Sequence, residues 1–202
     1  GAWVHVDGAF GLWALASEGL RDQAVGYVEA DRWATDAHKW LNVPYDSGIL
    51  IVRDSHALGQ AMALSGAYLF NSDHRDAMDY TPDSSRRARA IDIWAALKSL
   101  GRQGLADMLD RHCRQARWLA DALAAEDGIE VRNEVNLNQV VVTFGDADRT
   151  NKVIAAVQAD GTCWAGGTVW QSHTALRLSV SSWATTDQDI ERSIEAILRV
   201  HR

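Results

Sequence analysis

Cysteine is scarce in this sequence: Cys113 and Cys163 are the only two in 202 residues, far apart and without metal-ligand spacing. That excludes a disulfide framework and a cysteine-built metal centre, and reduced thiols in a cytoplasmic protein are the expectation. Long apolar runs are missing too. Charge interrupts every apolar segment within about ten positions, short of the roughly 20 residues a membrane helix needs. Basic charge is in deficit, with 20 Lys and Arg against 27 Asp and Glu, a net charge of -7 and a pI of about 5.4, which argues against non-specific nucleic-acid binding. There are no internal repeats and no low-complexity tracts. An initiating methionine and a basic leader are also lacking. The sequence enters a strand pattern at Gly1-Ala2-Trp3 and reads as a piece of something longer.

What is present is a soluble globular composition, 47% hydrophobic, patterned as alternating strands and helices. Trp3 to Val6 reads as a short buried strand, the turn Asp7-Gly8-Ala9-Phe10-Gly11 follows, and Leu12 to Leu20 reads as an apolar helix. Tyr27 to Asp36 forms a second strand region. The β-branched run Ser47 to Arg53 is the clearest strand, of the kind covered on both faces. Periodicity fails from Ala63 to Asp83, a stretch too long for a plain connection and therefore expected to be functional or mobile. Ser84 or Ser85 then caps a helix ending before Gly101, with Ile93, Trp94, Leu97 and Leu100 on one face, and a second long helix runs from Leu105 to about Ala125.

Beyond Gly128 the pattern becomes strand, strand, helix, strand, helix. Strands are expected at Gly128 to Val131 and Asn138 to Phe144, a helix ending at Gly161, and a hairpin from Thr168 to Gln171 and Ala175 to Ser181. A capping box of Thr185 and Gln188 opens the last helix, whose stripe is Ile190, Ile194, Ile197 and Leu198. Arg199 and Arg202 suit its negative end. The expected class is α/β: residues 1–104 are part of a larger sheet domain, and residues 105–202 are a small α+β domain.

Chemistry gathers in Ala34-Thr35-Asp36-Ala37-His38-Lys39-Trp40. Taken alone, Lys39 is a surface lysine, and Asp7, 32 positions earlier at the carboxyl end of a predicted strand, is a turn or cap carboxylate. Together they suit one cofactor. A lysine amine is a poor nucleophile at neutral pH and is commonly used to form a Schiff base with a carbonyl. Pyridoxal phosphate needs that lysine and an aspartate to keep its pyridine nitrogen protonated. Ligands of open α/β sheets bind at the carboxyl ends of strands.

Val4-His5-Val6-Asp7-Gly8-Ala9-Phe10-Gly11 and Ala30-Asp31-Arg32-Trp33-Ala34-Thr35-Asp36-Ala37-His38-Lys39-Trp40 resemble the pyridoxal-phosphate-dependent group II decarboxylases. These are the aromatic-amino-acid, glutamate, histidine and diaminobutyrate decarboxylases of fold type I. The resemblance continues through Ser85-Arg86-Arg87-Ala88-Arg89 and Ala175 to Trp183. It implies a fold type I transferase-like architecture, decarboxylation of an L-amino acid to an amine, and pyridoxal 5'-phosphate joined to Lys39 as a Schiff base. It further implies that Asp7 pairs with the pyridine nitrogen, that His38 and Asp36 lie near the cofactor phosphate or the lysine, and that Ala9 packs on the ring face.

Tyr68, in the long irregular segment, matches a tyrosine on the family's mobile loop that protonates the carbon left by carbon dioxide; otherwise it is a surface aromatic. Arg177 sits on a predicted strand and needs an anion, either a structural carboxylate or a substrate carboxylate. Arg86, Arg87 and Arg89 read as a partly solvated helix start with structural ion pairs. Gly8 and Ala37 stand where the family commonly has alanine and proline. The family's phosphate loop and ring-stacking histidine belong to a portion preceding Gly1, which the enzyme is expected to require, and a homodimer is implied. Two other readings stay open: transamination or aldehyde formation on the same scaffold, and a silent fragment that needs a second polypeptide.

Overall fold

The computed structural model describes residues 1–63, 74 and 76–202. The chain divides into two compact units, one of residues 1–12 and 24–99 and the other of residues 13–23 and 100–202.

The first unit is built on a three-stranded sheet of β1 (His5–Asp7), β2 (Arg32–Asp36) and β3 (Gly48–Val52), in that order. β1 and β2 are parallel, with Asp7 opposite Ala34, and β3 returns antiparallel with Gly48 opposite Asp36. The turn after β2 is closed by its apolar side chains, since Ala37 and Trp40 are fully buried and Leu41 and Val43 nearly so. A short helix α1 (Ser55–Met62) follows, capped by Asp54, whose carboxylate accepts from the His56 and Ala57 N–H groups.

The region expected to be strand from Tyr27 begins instead with a 3-10 turn at Tyr27–Glu29 and pairs only from Arg32, and three further expectations fail in this unit. Strand pairing begins at His5, and Trp3 and Val4 are 60% and 50% exposed. β3 is not covered on both faces: it lies at the sheet edge, and Leu50 and Ile51 are 40% and 47% exposed. The third concerns the start of α2 (Arg89–Ala124), which Ser84 and Ser85 do not cap. Arg87 donates to the Tyr45 carbonyl at 2.6 Å, and Arg89 binds both oxygens of Asp46 at 2.9 and 3.1 Å, so the preceding residues are held out of helical register. These two arginines do form the expected ion pairs at a helix start. The face bearing Trp94 and Leu97 is exposed rather than packed. Gly101, at φ 63° and ψ -178°, breaks α2 where the first helix was expected to stop, a conformation open in practice only to glycine.

Leu12 to Leu20 does not form an α-helix either. A 3-10 segment spans Gly11–Ala16 and stops at Ser17, whose buried hydroxyl donates to Asp110 and accepts from the Gly19 N–H, drawing the chain out of its helical path.

The second unit is a four-stranded antiparallel sheet in the order β4 (Glu130–Val131), β5 (Gln139–Thr143), β7 (His173–Ser179), β6 (Gly166–Trp170). α3 (Ala147–Asp160), α4 (Asp187–His201) and the second half of α2 close its apolar face. Leu119, Leu123, Val140, Val142, Leu176 and Ile197 are at most 2% exposed in one continuous core. Burial of each such side chain contributes roughly 1.5–3 kcal/mol. The expected hairpin joins β6 to β7 through Gln171 and Ser172, both at positive φ as a two-residue turn requires. Gly161 ends α3 in the left-handed conformation. The α4 cap is shifted by one residue from expectation: Thr186 and Asp189 form the reciprocal box, because the Asp189 carboxylate accepts from both the Thr186 N–H and hydroxyl.

Candidate active site

Parallel pairing sends the carboxyl ends of β1 and β2 to one edge of the sheet, and both chemical motifs lie there. Asp7 ends β1, and Asp36 ends β2, three residues before Lys39. The two ends are laced together by main chain. The Gly8 N–H donates to the Ala34 carbonyl at 2.8 Å, and the Ala9 carbonyl accepts from the Asp36 N–H at 3.4 Å and the buried Thr35 hydroxyl at 3.5 Å. Asp7 is exposed; its Oδ1 accepts from the Ala9 N–H at 3.2 Å, so it also performs the turn role open to it from sequence.

Lys39 sits in the turn after β2, where its N–H donates to the Asp36 carbonyl at 3.2 Å. Its Nζ lies 2.8 Å from Asp36 Oδ2 and 5.6 Å from the centre of the Phe10 ring, which packs in turn on buried Trp40. About a third of each side chain in the ion pair is exposed, so a ligand entering at this edge can reach the amine.

The imidazole of His38 is clamped. Nδ1 lies 3.0 Å from the Ser47 nitrogen and 2.9 Å from the Ser47 oxygen. Nδ1 is thus engaged by the Ser47 main chain. The Tyr45 ring lies against it with centroids 4.3 Å apart. Beyond Tyr45, Arg89 holds the Asp46 carboxyl below the usual carboxylate range, chiefly through its hydrogen bonds.

A reachable primary amine, a carboxylate ending the neighbouring parallel strand and a small residue, Ala9, after it make a donor set that fits a pyridine aldehyde. The family described as the pyridoxal-dependent decarboxylase conserved domain matches residues 1–144. The chain belongs to this family. Pyridoxal phosphate is the family's cofactor. Among curated relatives, tyrosine/DOPA decarboxylase 5 of Papaver somniferum is 34% identical over 136 residues, covering 65% of this chain and 26% of the relative. Histidine decarboxylase of Drosophila melanogaster is 28% identical over 98% of this chain and 24% of the relative. The chain thus spans about a quarter of the length of these two relatives. The crystal structure of Oryza sativa TDC with PLP and tryptamine superposes with a TM-score of 0.91 at 22% identity, over 99% of this chain and 44% of that one, which establishes the fold type I architecture.

Of the decarboxylase residues expected from sequence, the structure brings Asp7, Ala9, Asp36, His38 and Lys39 to one sheet edge. Tyr68 lies outside the described residues. Arg177 is on β7 in the second unit, where it is exposed and, among the described residues, makes no ion pair. Sequence reasoning missed Phe10 and Ser47. Phe10 lay inside a quoted motif, where an aromatic three residues after a carboxylate was a usable signal. Ser47 acts through its backbone, which no side-chain pattern reports.

Proposed function

We propose that the protein, in its full natural length, decarboxylates an L-amino acid to the corresponding amine and carbon dioxide, with pyridoxal phosphate attached at Lys39. The observation that carries this reading is the convergence of Lys39 and Asp7 at adjacent carboxyl ends of parallel strands in a member of this family. When bound, the cofactor supplies an electron sink for the carbon that loses carbon dioxide. Asp7 keeps a negative charge against the pyridine nitrogen and so holds a proton there. Ala9 lets the ring lie close to the backbone. His38, with Nδ1 engaged by the Ser47 main chain, lies near the cofactor phosphate or the lysine, and Asp36 stands beside the lysine. Tyr68 delivers the proton that replaces the carboxylate, and the exposed Arg177 binds a substrate carboxylate.

Residues 1–104 act as the carboxyl-terminal part of the cofactor domain, with the loop at about 63–83 as its mobile element, and residues 105–202 form the small domain. The working form is a cytoplasmic homodimer that also needs the portion preceding Gly1. The free thiols of Cys113 and Cys163 agree with a reducing compartment. Relatives named for tyrosine, DOPA and histidine support a substrate with an aromatic or imidazole side chain.

The test is carbon dioxide and amine release by the purified protein across a panel of amino acids, with Lys39→Ala alongside. Amine production by the native protein and its loss in the variant are expected. Undiminished turnover by Lys39→Ala, or deamination as the sole native activity, overturns the reading.

A further inference from the structure

The ε-amine of Lys39 can join an aldehyde only through its nitrogen lone pair. Attachment forms a carbon–nitrogen double bond, expels the carbonyl oxygen as water, and requires the ammonium first to give up a proton to solvent. The structure surrounds this nitrogen with groups that attract a cation. Asp36 Oδ2 is 2.8 Å away, and the Phe10 ring faces it at 5.6 Å, inside the roughly 6 Å over which an aromatic face attracts a cation. The pair spans a three-residue turn whose backbone is already closed by the bond from the Lys39 N–H to the Asp36 carbonyl. The two side chains therefore meet without ordering any further chain.

We propose that Asp36 is a positioning residue for Lys39 in the cofactor-free protein. Its carboxylate holds the head group in an ion pair beside Phe10, and the amine becomes available for attack when this pair opens. Because both side chains are partly exposed, solvent and salt reach the pair, and its hold is modest and reversible. A buried pair would instead trap the lysine. The inference takes Lys39 as the attachment point from the reading above, but it concerns the protein before any cofactor arrives.

The experiment is amine labelling of the cofactor-free, full-length protein with trinitrobenzenesulfonate, followed by peptide mass spectrometry. The chain contains two other lysines, Lys98 and Lys152, both exposed, which serve as internal references. In Asp36→Asn, which preserves size and removes charge, labelling of Lys39 relative to Lys98 and Lys152 is expected to rise about two- to fivefold, the range an exposed ion pair supports. Asp36→Glu restores the carboxylate and is expected to return the ratio toward the native value. Raising salt to about 1 M on the native protein, where the Debye length falls to about 3 Å, raises the ratio in the same direction without any substitution.

An unchanged ratio in Asp36→Asn and in high salt overturns the proposal, as does a Glu variant that labels like the Asn variant. Decarboxylation plays no part in this readout. An active decarboxylase with an unchanged ratio refutes the role of Asp36 alone, and an inactive protein with the expected ratio refutes the functional reading alone.

Discussion

Gly8 stands between Asp7 and Ala9, and the structure gives a physical reason for its lacking a side chain. A Cβ built there lies 2.6 Å from Leu12 Cβ, 3.1 Å from the Leu12 nitrogen and 3.2 Å from the Ala34 oxygen. Carbon atoms in contact prefer about 3.5–4.0 Å, so the closest approach is short by about 1 Å. None of these atoms is the far end of a flexible side chain, so the conflict is relieved only by moving backbone. That backbone includes the Gly8 N–H bond to the Ala34 carbonyl at 2.8 Å, which joins the end of β1 to β2. Gly8→Ala therefore falls in the range of overpacked substitutions, about 1–3 kcal/mol. In a chain of this size that lowers the thermal midpoint by roughly 2–12 °C. The sequence resemblance, which treats alanine at this position as common, predicts no cost. The two expectations separate in a thermal scan of Gly8→Ala against Gly166→Ala, since a Cβ at Gly166 meets nothing within 4 Å. A Gly8→Ala midpoint within about 1 °C of both the native protein and the Gly166 control would refute the close packing described here.

Two further outcomes concern the second unit. His112 is fully buried, and desolvation, reinforced by the charge of Arg111, lowers its pKa from 6.5 to about 4. The unfolded ring takes up a proton near pH 6.5 and the folded ring only near 4, so stability is fully present above pH 6.5 and falls as pH drops through this window. The loss is at most about 3 kcal/mol. Urea unfolding at stepped pH is expected to show a shallower slope between pH 6.5 and 4 for His112→Gln, and an identical slope would count against burial as the cause. Thr186→Ala removes one arm of the α4 capping box and is expected to cost about 1 kcal/mol in the same assay, whereas Thr185→Ala, one residue outside the box, is expected to cost less.

The motifs around Asp7 and Lys39 were legible because the information is local: a carboxylate ending an apolar strand, and a lysine in a short turn at a set distance along the chain. Gly161 and the β6–β7 hairpin were legible for the same reason, since backbone conformation there depends on adjacent residues. Burial was not. Trp3, Leu50, Ile51 and Trp94 are apolar and exposed, because hydrophobicity states what a side chain favours and not whether another element covers it. The assignment of residues 13–23 to the second unit was equally hidden, as it is fastened by Ser17 to Asp110 across 93 positions. The one-residue error at the α4 cap has a simpler origin. Thr185 and Thr186 both precede an acceptor by three residues, and the charged acceptor, Asp189, wins over Gln188.

These differences bear on how the site is made. Asp7 and Lys39 are related by main-chain bonds: Gly8 to Ala34, Ala9 to Asp36, and Asp36 to Lys39. Small residues at Gly8, Ala9 and Ala37 let those backbones approach, so the spacing of the two backbone positions does not depend on side-chain conformation. The lysine head group is held differently, by one carboxylate and one ring face at a partly exposed position. Exposed ion pairs contribute at most about 1 kcal/mol, whereas a shift of the backbone ladder costs more. Under the proposed reading, the backbone that would carry the cofactor is thus fixed by main-chain bonds, and the ion pair that would open for attachment is a weaker contact than that ladder.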